Sequence, residues 1–152
     1  MDAGSIAFMI ICASLVFLMT PGLAFFYGGL GRRKNVINTM MMCVISIAVA
    51  SVMWMICGYS LSFGGDGSLI GNFSHLFFNG VSETASTRGL EIPDALFAAF
   101  QMMFPIITVA ILTGAATGRM HFTPLIIFII FWLLLVYFPF AHMVWDEGLL
   151  AQ

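Results

Sequence analysis

The fixed charges of this 152-residue chain are confined to a few short islands, and the islands sort by sign. Asp2, Asp66, Glu83, Glu91, Asp94, Asp146 and Glu147 lie at the N-terminus, in one long loop or at the C-terminus. Arg32, Arg33, Lys34 and Arg119 lie in two short turns, and Arg88 alone breaks the pattern. Between the islands the sequence is almost wholly apolar: 61% of residues are hydrophobic and 8% are charged. A soluble domain carries about 25% charged residues, so this chain cannot cover a water-facing surface and lipid must do it. Carboxylates on one side and cations on the other form the positive-inside pattern. The chain is read as an all-α, polytopic membrane protein.

Four segments are long enough to cross roughly 30 Å of hydrocarbon, which takes about 20 helical residues. They run over about 5–30, 36–63, 92–117 and 122–145. The first is interrupted at Thr20-Pro21-Gly22, where proline removes a backbone donor and predicts a kink. A Thr hydroxyl or a neighbouring helix can satisfy the carbonyl so freed. Short connections make spans one and two a hairpin, and likewise three and four. The start Met1-Asp2-Ala3-Gly4 lacks the basic region of a cleaved signal peptide. Arg32-Arg33-Lys34 holds the inner end of span one in the cytoplasm and sends the N-terminus out. Four crossings then return the C-terminus to the outside, with the long acidic loop external and both basic turns internal.

Several functions are excluded by what these residues lack. A net charge of −2 without a basic patch argues against a nucleic-acid partner. With Asp94 assigned to the external loop, no span contains Asp, Glu, Lys or Arg, which rules out an intramembrane charge relay. Cys12, Cys43 and Cys57 sit in apolar runs and read as small buried hydrophobes. His75, His121 and His142 have no metal-ligand spacing and read as structural or solvated. Gly64, Gly65 and Gly67 read as turn residues rather than a phosphate-binding loop. The match of Asn72-Phe73-Ser74 to a glycosylation sequon is too short to carry weight. No metal, cofactor or enzymatic constellation is expected.

The third span carries the most information. Phe97, Phe100 and Phe104 recur at i, i+3 and i+7 and share one helical face, with Gln101 beside them. At 1.5 Å per residue, Phe100 lies on the order of 10 Å below the outer surface and Phe104 near the midplane. Spacing alone fits a core or lipid-facing stripe. It also fits a stack of rings in a pore, where aromatic faces hold a cation and a constriction gates. Gln101 favours the pore, because an amide within a span seeks a partner or a water-lined face. Ala110, Gly114 and Gly118 form a small-residue ridge suited to close helix packing. Trp145 ends the fourth span, either as an interfacial anchor or as a cation-π wall over an external vestibule. Asp146 and Glu147 beside it are expected to raise the local cation concentration.

Read together, these segments resemble the ammonium transporter family. Thr20-Pro21-Gly22, Ala24-Phe25-Phe26-Tyr27-Gly28-Gly29-Leu30 and Arg33-Lys34-Asn35-Val36 resemble its first helix and turn. Gly58-Tyr59-Ser60-Leu61-Ser62-Phe63-Gly64 resembles the end of its second, and Phe100-Gln101 with Phe104 its third. Ala141-His142-Met143-Val144-Trp145 and Gly148-Leu149-Leu150-Ala151 resemble the end of its fourth. The matches are in order and cover nearly the whole chain, so residues 1–152 read as the N-terminal, four-helix portion of such a transporter.

The resemblance implies a homotrimer of eleven-helix protomers in the cell membrane, each with its own pore for ammonium or ammonia. It implies that Phe100 and Trp145 wall an external recruitment site, and that Phe104 forms a gate with a second phenylalanine from a later helix. The pore histidines, an essential aspartate and the Asp-Phe-Ala-Gly-Gly motif belong to helices beyond Gln152, and His142 is not one of the pore pair. Asp146 stands where the family usually has glycine. Four helices cannot enclose a pore whose walls come from both halves of an inverted repeat. The leading expectation is a transporter part completed by further helices. The alternative is a non-conducting homologue that binds full-length protomers and modulates them.

Overall fold

The computed structural model describes residues 2–31, 33–65, 67–146 and 148–150. Arg32, Asp66, Glu147 and Ala151, which the sequence reading uses, lie outside the described residues. Four helices are long and apolar enough to cross a membrane: α1 (Ala3–Leu30), α2 (Arg33–Phe63), α3 (Asp94–Ala116) and α4 (Phe122–Trp145). No strand occurs among the described residues.

α1 starts where Asp2 accepts a hydrogen bond from the Ser5 amide at 3.0 Å, a side-chain cap on an otherwise orphaned donor. It is assigned as one helix through Pro21, which lies inside it. Neighbouring turns suffice to hold the helix across the one missing hydrogen bond. The Thr20 hydroxyl, a candidate partner for the freed carbonyl, is buried and has none. Only Thr20, Ala24 and Gly28 of α1 are buried, a narrow stripe at i, i+4 and i+8. The rest of its apolar surface faces outward.

α1, α2 and α3 pack on one another, and α2 alone also packs extensively on α4. α4 departs from the simple hairpin expected of spans three and four. It lies chiefly against α2 and meets α3 at few points. Two π turns set this register, Trp54–Gly58 in α2 and Leu133–Tyr137 in α4. Each inserts a residue and rotates the helix beyond it. Trp54 and Phe138, both buried, meet there with ring centroids 6.0 Å apart. Gly58 lets the Phe138 ring lie against the α2 backbone, since a Cβ at 58 would fall 2.6 Å from Phe138 Cζ. The Trp54 indole N–H donates to the Ala98 carbonyl at 3.1 Å, which ties the same point to α3.

The small-residue ridge of α3 is used only in part. Ala110 is fully buried, and the Tyr27 ring lies directly over Gly114, with the Tyr27 hydroxyl donating to Ile111 at 3.3 Å. Gly118 lies past the helix end at φ +73, a left-handed conformation that a Cβ disfavours, so it turns the chain rather than packing.

Residues 64–65 and 67–93 fold over one end of the bundle. Gly65 there has φ +78 and is a turn residue, as read from sequence. Ser5 donates to Glu91 at 2.8 Å, and the Leu149 amide donates to the Ser68 carbonyl at 3.1 Å. The start of α1, the loop and the end of α4 therefore share one end, opposite the exposed Arg33, Lys34 and Arg119. One carboxylate was misassigned. Asp94 is the first residue of α3, 2% exposed, where its oxygens accept from the Thr87 amide and hydroxyl. A span does therefore contain a carboxylate, though only at its first residue.

Candidate functional site

α3 and α4 bring the three sequence-selected rings together. Phe100 and Phe104 stand one turn apart on α3, edge to face with centroids 5.2 Å apart. Trp145, the last residue of α4, lies 5.9 Å from Phe104. Phe104 is thus the middle ring, touched by the other two. Such T-shaped and tilted pairs add about 0.5–1.5 kcal/mol beyond burial, so the cluster supports its own geometry. Trp145 remains 49% exposed and offers a free ring surface.

Phe97 does not join them, although it falls on the same helical face. It turns toward α2 and packs edge to face on Phe63 at 5.2 Å. The row read from spacing is split by the neighbour that α2 supplies. Gln101 follows Phe100 in α3, and its Oε1 is buried without a hydrogen-bond partner. Inward of Trp145 an apolar groove of about 290 Å³ continues between α3 and α4, lined by Thr108, Tyr137, Ala141 and Trp145 among others. The Tyr137 hydroxyl is also buried and unpartnered. Neither this hydroxyl nor the groove was anticipated; the π turn that aims Tyr137 has no sequence signature.

The charged rim beside Trp145 differs from expectation. Asp146 does not present a free negative charge. It pairs with Arg88 at 2.6 Å, and Arg88 also donates to the Phe63 carbonyl at 2.6 Å. Burial opposes the Arg88 charge, but the hydrogen bond to Asp146 and the attraction of its carboxylate outweigh that and hold the guanidinium pKa above its ordinary value. The cation that broke the sorting by sign thus has a partner 58 positions away. His142 is fully buried, with Nδ1 3.1 Å from the Ser62 carbonyl and Nε2 2.5 Å from the Gly67 carbonyl. It acts as a structural strut between α4 and the loop, in keeping with its sequence reading. Among the described residues, no three His, Cys, Asp or Glu side chains gather to hold a metal.

The profile of the Ammonium Transporter Family matches residues 7–152. The ammonium transporter of Bacillus subtilis is 43% identical over all of this chain, which spans 38% of that protein. The ammonium transporter of Aquifex aeolicus is 42% identical, again over the whole chain and 36% of its own length. The crystal structure of Candida albicans Mep2 superposes with a TM-score of 0.88 at 29% identity, covering 99% of this chain and 33% of that one. Saccharomyces cerevisiae Mep2 gives 0.85 at 31% identity, covering 99% and 34%. The chain spans little more than a third of the relatives it matches. With four apolar helices in the same arrangement and the match running nearly end to end, this multi-pass membrane chain belongs to the ammonium transporter family.

Proposed function

We propose that residues 1–152 form the N-terminal part of an ammonium transporter, with Phe100 and Trp145 as walls of an external recruitment site and Phe104 as one ring of a gate. The continuous Phe100–Phe104–Trp145 cluster carries this reading, because it joins the half-exposed Trp145 ring to two part-buried rings on α3. An aromatic face attracts a cation such as ammonium by about 0.5–2 kcal/mol, and a hydrophobic ring beneath it favours the dehydrated species. Gln101, the residue after Phe100 on α3, has a buried Oε1 acceptor without a hydrogen-bond partner. The second gate ring and the remaining pore wall come from helices beyond those described. We place the N-terminus, the 64–93 loop and the end of α4 outside the cell membrane, and expect a homotrimer.

The test is methylammonium uptake by cells that lack their own ammonium transporters and express the native gene. Trp145→Ala should raise the KM about fivefold, matching about 1 kcal/mol of cation-π attraction. An unchanged KM would refute the recruitment role. The outward-facing apolar surface of α1 supports a second reading, in which the chain docks on full-length protomers. Failure to co-purify with one would eliminate it.

A further inference from the structure

Arg88 is the one cation on the acidic side of the chain, and the fold sets it against the outer edge of the aromatic site. Its guanidinium carbon lies 5.1 Å from the Phe63 ring centroid and 5.3 Å from that of Phe97, one turn of α3 before Phe100. Its partner Asp146 directly follows Trp145. The Arg88 and Asp146 side chains are 26% and 12% exposed, so water screens them incompletely while their field still reaches the Trp145 surface. A cation site beside an unpaired arginine would repel its ligand, and one beside an unpaired carboxylate would concentrate every cation.

We propose that Arg88 and Asp146 form a matched charge pair that sets the electrostatic potential at the exposed face of Trp145, and with it the local concentration of monovalent cations. The consequence for ammonium rests on the recruitment role of Trp145; the electrostatic statement does not. One unpaired unit charge within about 10 Å, in a water-like medium, changes the local concentration of a monovalent ion about two- to fivefold. A latch that merely holds the loop makes a different prediction: removing either partner would loosen the rim and expose Trp145 to all solutes alike.

Collisional quenching of tryptophan fluorescence separates the two, using the full chain in uncharged detergent. Trp54 is 1% exposed, and Trp132 is part-exposed in the apolar groove that Trp145 also lines, so the Trp145 signal is taken as the difference from Trp145→Phe measured in each background. Quenching by caesium and by iodide is each divided by quenching by neutral acrylamide. Arg88→Gln should raise the caesium ratio about two- to fivefold and lower the iodide ratio. Asp146→Asn should do the reverse, and either variant alone decides the sign. The double variant should return to wild-type ratios, and all shifts should shrink in high salt, where the Debye length falls to about 3 Å at 1 M. Shifts of the same sign in both single variants, or none in either, would overturn the proposal. In the uptake assay, Arg88→Gln should lower and Asp146→Asn raise the methylammonium KM. Wild-type protein without uptake would count against transport, and quenching would still decide the charge pair.

Discussion

One methyl group at position 58 tests the register of α2 against α4. A Cβ there would lie 2.6 and 2.8 Å from two carbons of the Phe138 ring and 3.0 Å from the Trp54 ring, where ordinary contact is 3.4–4 Å. The Phe138 ring would have to retreat by about 0.8 Å to reach the near end of that range. It has little room to do so, because it is fully buried and packed against Trp54, which the Ala98 carbonyl holds in place. Overpacking of this kind costs about 1–3 kcal/mol. Replacing glycine by alanine in a helix returns about 1 kcal/mol of propensity. Gly58→Ala should therefore destabilise the chain by about 1 kcal/mol. Gly29 in α1 is the comparison, since nothing lies within 4 Å of a Cβ built there. Gly29→Ala should gain the propensity alone, so the two substitutions should differ in sign. Reversible unfolding in mixed micelles with increasing dodecyl sulfate, followed by circular dichroism, measures both. Adding Phe138→Leu to Gly58→Ala should recover part of the loss. Equal stability of Gly58→Ala and Gly29→Ala would refute the close approach of the two π turns.

Asp94→Asn tests the buried contact that ties the 64–93 loop to the first residue of α3. The carboxylate accepts from the Thr87 amide at 3.0 and 3.1 Å and from its hydroxyl at 2.8 Å. Losing its charge-assisted character should cost about 1–2 kcal/mol in the same unfolding assay, and unchanged stability would show that the loop holds itself. Orientation is read by a membrane-impermeant maleimide on intact cells. Ser86→Cys should label from outside and Arg119→Cys only after permeabilisation; the opposite pattern would invert the proposed topology.

The amount legible in the sequence differs from residue to residue. Phe100, Phe104 and Trp145 could be singled out because helical period and family pattern agree on them. Arg88 was visible as an exception but not as half of a pair, since nothing local links positions 88 and 146. For the same reason the sequence shows Asp146 only as a free carboxylate beside Trp145. Tyr137 passed unnoticed as one aromatic among many. Its unpartnered hydroxyl acquires meaning only beside a groove made by another helix.

Length, hydropathy and charge sorting by themselves determined that four helices cross a membrane with their basic turns at one end. Those properties follow from the cost of burying charge and unpaired backbone in hydrocarbon, which each segment meets alone. Tertiary structure decided the rest: that α4 leans on α2, that Phe97 leaves the row of its neighbours, and that Arg88 closes on Asp146. Each of these depends on which surface arrives opposite a side chain. Inside a lipid-facing bundle, where nearly every residue is apolar, that choice rests on shape, through glycine gaps and π turns that hydropathy does not record.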